Sequence, residues 1–292
     1  MASAAEPGGG AMKLQLVPPR RGMVWVRKAF QIFARQPLGF AALFAACLFV
    51  FLLLGLIPLV GTILLLILPP AGSLLFMIAS RLATEGKAPI PAAIAELLKA
   101  GRPRLIALLK LGIAYAAATF FVFWLAGVVD GGALEAFLDS LPNAQTAPEA
   151  AAARVADPRL QFGLLLRLVF AGALSIPFWH APALVYWGGQ SWAKSLFFSS
   201  IALWRNKGAF AFYGLGWLVL WLLLLAIVSV GVGVFGPQRS TLVATPLTLL
   251  FSTVFYASLW FTFADCFAPA DADADAPRDD TGTTDSLTKG SS

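Results

Sequence analysis

The sequence predicts an all-α polytopic membrane protein with six transmembrane helices. Two observations carry this prediction. Hydrophobic residues make up 59% of the chain and charged residues only 12%, whereas a typical soluble domain is about 25% charged. In addition, uncharged apolar stretches of about 20 residues, the length that crosses a bilayer as a helix, recur along the chain. This composition excludes a soluble enzyme, a nucleic-acid-binding protein and a disulfide scaffold, because a water-soluble globule cannot bury so much apolar surface.

Six apolar segments are predicted to cross the membrane. The first two share an uncharged stretch from Leu38 to Ser80, which is divided by the turn-forming residues Gly55, Pro58 and Gly61. The predicted spans cover residues 38–58, 61–80, 105–129, 160–187, 209–235 and 241–264.

Basic residues are distributed unevenly between the two sides that six spans define. Fourteen Lys and Arg residues lie before the first span or in the second and fourth connections, and Lys110 lies just inside the third span on the same side, which makes fifteen. The opposite side holds three, namely Arg154, Arg159 and Arg239. Basic residues next to spans favour the cytoplasm. Both termini are therefore predicted to be cytoplasmic, and the loop 130–159 is predicted to be external.

The spans belong to one predicted transmembrane domain, residues 23–267. A flexible N-terminal segment, residues 1–22, precedes it, and Met12 is an alternative translation start to Met1. Residues 268–292 carry six aspartates and few large apolar residues. This composition is typical of a disordered acidic tail.

Three amphipathic interfacial helices are predicted on the cytoplasmic side, over residues 23–36, 90–99 and 191–204. In the first, Val26, Phe30 and Phe33 share one helical face. Each helix precedes two spans, and the second span of each pair contains proline. This repetition predicts a threefold internal repeat. The alternative is that multi-span proteins in general have basic residues before spans and prolines within them.

Basic residues beside these helices are the predicted contacts to anionic lipid headgroups, each worth about 1 kcal/mol near the surface. We expect membrane lipids as partners and no nucleic acid. The candidate residues are Arg27, Lys28, Arg35, Arg102, Arg104, Arg205 and Lys207.

Ionisable residues within the spans are the other candidates for function, because they are costly in lipid. Arg167 has three alternatives: it snorkels to the surface, pairs with Asp130, or contacts a substrate or lipid phosphate. His180 either bonds a carbonyl freed by a nearby proline or titrates near neutral pH. Asp265 either faces water or forms a proton relay with His180.

Metal and enzyme chemistry are not expected. One histidine without an acidic cluster inside the membrane cannot complete a zinc shell. No serine stands in a nucleophile-elbow motif. We therefore expect no cofactor, no metal and no catalytic residue.

Several segments resemble a family of uncharacterised proteobacterial six-span inner-membrane proteins. They are LQLVPPRRGMVWVRKAFQIFARQPLGF near the start, Asp130-Gly131-Gly132, PFWHAPALVYW (177–187), SLFFSSIALWRNKGAFAFYGLGW (195–217) and VFYASLWFTFADCF (254–267). The likeness covers residues 12–267. It is also distantly similar to the membrane domain fused to some glycerophosphodiester phosphodiesterases. The resemblance implies a bacterial inner membrane, and it transfers no activity and no catalytic residues.

The sequence leaves two functions open. The first is a non-enzymatic membrane protein that binds lipid or a membrane partner through the basic helices. The second is a transporter or lipid-handling channel with a cavity between the repeats near Arg167 and His180, which proline-broken helices favour.

Overall fold

A computed structural model describes residues 12–141 and 148–269. The acidic tail beyond residue 269 and the first eleven residues of the predicted N-terminal segment lie outside the described residues. The described part of the chain forms helices and two short strands, in the order β1 (Met12–Leu14), α1 (Arg21–Arg35), α2 (Pro37–Gly55), α3 (Val60–Ile67), α4 (Pro69–Thr84), α5 (Ala92–Leu98), α6 (Arg102–Asp130), α7 (Ala133–Ser140), α8 (Pro148–Val155), α9 (Pro158–Phe178), α10 (Ala181–Tyr186), α11 (Trp192–Arg205), α12 (Lys207–Phe235), α13 (Pro237–Cys266) and β2 (Phe267–Pro269).

These helices confirm an all-α protein with five or six helices able to span a membrane. Among the described residues, α2, α6, α12, α13 and the pair α9–α10 are each long and apolar enough to cross a bilayer. The pair α3–α4 is a sixth candidate span, bent by 46°. Each predicted span therefore coincides with one helix or one broken pair.

Prolines stand at the breaks of both broken spans. Pro69 and Pro70 occupy the first turn of α4, where the N–H that proline lacks would have no helical partner. Pro177 lies near the end of α9, and Pro182 lies in the first turn of α10. Pro246 lies inside α13, which continues as one helix.

α1, α5, α11 and the β1–β2 ribbon lie at one end of the bundle, which we call the basic end. The amide of Gln36 donates to the Lys87 carbonyl over 3.2 Å, and the Tyr186 hydroxyl donates to the Glu96 carbonyl over 3.1 Å. Most of the buried core lies in the adjoining half of the bundle, where the largest fully buried side chains include Trp25, Phe40, Leu74, Met77, Leu111, Leu184 and Tyr186.

The spans follow one another in three pairs along the chain, namely α2 with α3–α4, α6 with α9–α10, and α12 with α13. The helices α1, α5 and α11 each pack on the second span of one pair. α1 packs on α12 and α13, α5 packs on α4, and α11 packs on α9 and α10. Near the centre, α4 packs on α13 and α10 packs on α4. Ser80 on α4 donates to the Ala257 carbonyl on α13 over 3.0 Å. The second members of the pairs thus form the middle of the bundle.

The two ends of the described chain are joined by an antiparallel ribbon. β1 pairs with β2, with Met12 opposite Pro269 and Leu14 opposite Phe267. The sequence predicts a flexible segment over residues 1–22 and a tail from residue 268, whereas the structure pairs residues 12–14 with residues 267–269. The strands escaped prediction because three-residue strands carry no readable alternation and their pairing partner is remote in sequence.

The other half of the bundle exposes a broad apolar surface. Leu218, Leu222 and Leu225 of α12 are each about half exposed, and Val230 is 66% exposed. Such a surface is incompatible with water over this area and matches the hydrocarbon of a bilayer.

Candidate functional sites

Most of the basic residues predicted to meet headgroups are exposed at the basic end. Arg27, Arg35, Arg102, Arg205 and Lys207 are exposed, whereas Lys28 and Arg104 are half-buried. The Lys28 ammonium lies 5.6 Å from the ring centroid of Phe261, in reach of a cation–π interaction.

The helix α1 buries one face against the protein. Its buried residues are Gly22, Trp25, Val26, Ala29 and Ile32, spaced as one helical stripe. Of the predicted apolar face, Val26 is buried, whereas Phe30 is 42% exposed and stacks on Trp217 with ring centroids 6.1 Å apart. The structure therefore turns the predicted face partly away from the core.

A close backbone approach explains this rotation of α1. A β-carbon at Gly22 would overlap the carbonyl oxygen of Ala209, and would lie 2.6 Å from the backbone nitrogen of Tyr213. The absence of a side chain at Gly22 thus lets α1 rest directly on the backbone of α12. The stripe of buried residues in α1 follows from that contact.

Asp265 holds α1 at its start. Its carboxylate accepts hydrogen bonds from Arg21 Nε at 2.5 Å, from Arg21 Nη2 at 3.2 Å and from Trp25 Nε1 at 2.6 Å. The hydrogen bond and charge of this carboxylate raise the pKa of the Arg21 guanidinium. The geometry is a bidentate ion pair reinforced by a buried indole.

His180 lies in the break between α9 and α10 and is fully buried. Its Nε2 lies 3.2 Å from Thr262 Oγ1, and its ring packs edge-on against Phe210 and Phe267. Among the described residues, Asp265 instead bonds to Arg21 and Trp25. The structure thus gives His180 and Asp265 separate hydrogen-bond partners, and a proton relay between them stays a prediction.

Ser199 of α11 repairs the backbone at the same break. Its hydroxyl accepts from the His180 N–H and donates to the Ile176 carbonyl, both over 3.0 Å. An unbroken helix would join these two backbone groups directly. The serine is inserted between them, as hydroxyl side chains do at proline-broken spans.

The alternative in which Arg167 pairs with Asp130 is the one that the structure contains. Arg167 Nη1 donates to Asp130 Oδ2 over 2.5 Å, and both side chains are largely buried. Asp130 Oδ1 also accepts from the Gly132 N–H at 3.0 Å, across the left-handed turn at Gly131. A β-carbon at Gly163 would lie 2.5 Å from Asp130 Oδ2, so this glycine makes room for the pair.

Two cavities adjoin each other between the spans. One, of about 310 Å³, is lined by Arg167, Thr119, Phe123 and Tyr115, among others. The second, of about 150 Å³, shares Tyr115 with the first and is lined also by Ser73, Ser175, Trp179 and Tyr256. His180 does not line either of these cavities. Of the two residues that were expected to line a cavity between the spans, Arg167 lines one of these cavities.

A larger apolar groove of about 570 Å³ opens at the basic end, between α9, α11 and α12. Ile176, Phe197 and Phe210 are among its lining residues, and Lys207 and Trp204 stand at its polar rim. The Lys207 ammonium lies 5.5 Å from the Trp204 ring centroid, and Trp204 is 75% exposed. An apolar groove rimmed by an amphipathic indole and an ammonium is the arrangement found at membrane interfaces.

Three structural polar residues were not singled out from the sequence. Asn206 accepts from the Val17 N–H at 2.9 Å and donates to the Gln15 carbonyl at 3.0 Å. Thr262 accepts from Trp179 Nε1 at 3.1 Å. Ser199, the third of these residues, lies within the predicted helix 191–204. Each of them satisfies backbone or indole groups from distant segments, which no local pattern signals.

The fold and these sites define a polytopic α-helical membrane protein. A curated protein of Burkholderia thailandensis, named "Probable inner membrane protein", is 31% identical to this chain over 262 residues, which cover 88% of this chain and 94% of that protein. The chain belongs to the family of that protein and is an inner-membrane protein. No family model and no solved structure match the chain.

Proposed function

We propose that the protein binds anionic phospholipids at its basic end and has no enzymatic activity of its own. The observation that carries this proposal is the groove between α9, α11 and α12. An acyl chain fits along its apolar walls, while Lys207 at the rim provides positive charge for a phosphate. The exposed Arg205, two residues before Lys207 in the chain, adds positive charge at the same end of the bundle. Each such residue contributes about 1 kcal/mol to attraction of an anionic headgroup.

The arrangement of the helices at the basic end supports this role. In the proposed threefold repeat, the units are α1–α4, α5–α10 and α11–α13. The first helix of each unit packs on the second span of the preceding unit, as α1 does on α13, α5 on α4 and α11 on α9. The same cyclic placement would present these three helices, and the basic residues within or beside them, to one leaflet.

We propose that this leaflet is the cytoplasmic one and that both termini lie in the cytoplasm. The fifteen-to-three distribution of basic residues supports that orientation. Anionic lipids of the cytoplasmic leaflet would then meet the basic end directly. The distant resemblance to a membrane domain that is fused to phosphodiesterases fits a lipid-contacting role, since in those proteins catalysis belongs to a separate domain.

Native mass spectrometry of the detergent-purified protein tests the proposal. Phosphatidylglycerol and phosphatidylcholine with identical chains are offered at equal concentration. We expect wild type to retain phosphatidylglycerol, and Lys207→Gln to weaken that retention about fivefold, the equivalent of about 1 kcal/mol. Arg239→Gln, an exposed arginine at the opposite end of the bundle, is the matched control. Equal retention of the two lipids by wild type would contradict the proposal.

A second candidate is a transporter or lipid-handling channel. The cavities that share Tyr115, next to the proline-broken spans, favour it. Reconstituted protein in vesicles with fluorescent phospholipids provides the test. Accelerated movement of lipid between leaflets, lost when Tyr115→Trp fills the cavity, is the expected outcome. A rate equal to that of protein-free vesicles would exclude this lipid-handling activity.

A further inference from the structure

A second lipid site is suggested by unpaired polar groups in the cleft between α6 and α9. Among the described residues, the Arg167 guanidinium is bonded only through Nη1, to Asp130. Its Nε atom is buried and has no partner, and the same holds for Thr119 Oγ1. Both residues line the cavity of about 310 Å³. A buried N–H without a partner costs free energy, so a hydrogen-bond acceptor in this cavity would be stabilising.

The charge balance of the cleft favours a neutral acceptor. The Asp130 carboxylate already neutralises the Arg167 guanidinium at 2.5 Å. A phosphate or carboxylate placed beside this pair would be an additional buried charge without a counterion, which is strongly unfavourable in lipid. A carbonyl oxygen accepts the same N–H without adding charge.

The depth of Arg167 matches one particular carbonyl. The span Pro158–Tyr186 has 29 residues and is about 43 Å long at 1.5 Å per residue, enough for a whole bilayer of about 40–45 Å. The Cα atom of Arg167 lies about 14 Å along the helix axis from the first residue of that helix. Since the polar region on each side of a bilayer is about 7 Å thick, this Cα atom lies about 7 Å inside the hydrocarbon.

The side chain then reaches back toward the polar region. Long helical side chains lean toward the N-terminus of their helix, and Arg167 Nη1 lies beside Gly163, one turn earlier. The guanidinium therefore stands near the boundary between hydrocarbon and headgroups, where the glycerol esters of phospholipids lie.

We propose that the α6–α9 cleft binds a diacyl phospholipid through an ester carbonyl, which accepts from Arg167 and Thr119. The acyl chain of that ester runs past Tyr115 into the adjoining cavity. The lipid belongs to the leaflet opposite the basic end. The site is therefore separate from the anionic-lipid groove, and neither proposal depends on the other.

Ether-linked phospholipids provide a direct test, because they lack the ester carbonyl and keep the headgroup and chains. Native mass spectrometry measures retention of diacyl and dialkyl phosphatidylcholine of equal chain length by the full-length protein. We expect wild type to prefer the diacyl lipid about tenfold, as for the loss of one hydrogen bond to a charged donor. Equal retention of the two lipids by wild type overturns the proposal.

Two variants test whether the preference for the diacyl lipid arises at the α6–α9 cleft. Arg167→Lys keeps the charge pair with Asp130 but removes the Nε donor, and we expect it to abolish the diacyl preference. Arg239→Gln, an exposed residue that lines none of the cavities described above, leaves the preference unchanged if the proposal holds. A preference that survives Arg167→Lys, or that disappears in Arg239→Gln, contradicts the site. If Arg167→Lys does not fold, Thr119→Val replaces it, with a reduction of about threefold expected and an unchanged preference counting against the site.

Discussion

Trp25 donates its indole N–H to the carboxylate of Asp265 over 2.6 Å, although 240 residues separate the two in the chain. Trp25 is fully buried and Asp265 lies in the last turn of α13. The bond fixes the first helix of the protein on its last one. Arg21, one turn before Trp25, shares the same carboxylate.

Replacing Asp265 is expected to destabilise the protein. Asp265→Ala leaves the buried Trp25 indole N–H without an acceptor, and the unfolding free energy should fall by about 2–3 kcal/mol. Glu85→Ala is the control, because Glu85 pairs with Arg81 and Lys87 in an exposed position, where ion pairs contribute less than about 1 kcal/mol. Thermal unfolding in detergent measures both changes. Equal shifts in the two variants would refute the role assigned to Asp265.

The glycine beside the intramembrane ion pair provides a second prediction. Gly163→Ala would place a β-carbon 2.5 Å from Asp130 Oδ2 and 2.9 Å from Arg167 Nη1, so α6 and α9 must separate. We expect a loss of about 1–3 kcal/mol. Gly172→Ala on the same helix meets nothing within 4 Å and should be neutral or stabilising by up to about 1 kcal/mol. Denaturant titration measures the unfolding free energy of the two variants. An unchanged value for Gly163→Ala would contradict the prediction, because the Arg167–Asp130 pair would then have space to move.

A third prediction concerns Ser199 of α11, which repairs the break between α9 and α10. Ser199→Ala removes the hydroxyl that joins the His180 N–H to the Ile176 carbonyl, and should cost about 2 kcal/mol because both backbone groups lose a buried partner. Ser200→Ala is matched in chemistry and in helix, but its hydroxyl bonds only to the Leu196 carbonyl of its own helix. The control should change stability by less than about 0.5 kcal/mol. Similar melting temperatures for the two variants would argue against the bridge.

Orientation in the membrane can be checked with single cysteines. In a background with Cys47 and Cys266 replaced by Ser, Asp139→Cys and Lys99→Cys place exposed thiols at opposite ends of the bundle. If the basic end faces the cytoplasm, a membrane-impermeant maleimide added to intact spheroplasts labels residue 139, and labels residue 99 only after lysis. The reverse pattern would invert the proposed topology.

The positions of the helices were largely predictable from the sequence, whereas their contacts were not. Apolar length alone predicts the five long apolar helices and the bent sixth candidate, because a helix that crosses lipid needs about 20 such residues. Proline breaks in the span 160–187 were expected from the sequence, but the way in which the break at His180 is repaired was not predicted. It depends on Ser199, which satisfies the backbone from another helix, and this rescue is visible only in three dimensions.

The candidate site residues show the same division. Pairing of Arg167 with Asp130 was one of the alternatives, since a charge inside a membrane needs a partner. The partner of Asp265 was missed, because Arg21 and Trp25 lie at the far end of the sequence and no local spacing connects them. The groove at Lys207 was also invisible, since its walls come from α9, α11 and α12.

The attachment of α1 to α12 and α13 constrains how the protein is made. During translation α1 leaves the ribosome before any span, whereas its docking surface is synthesised last. The face of α1 that contains Trp25 therefore remains exposed until α12 and α13 have been inserted into the membrane. Docking of α1 then depends on α12 and α13, so a prematurely terminated chain would keep α1 undocked and open to quality-control proteases.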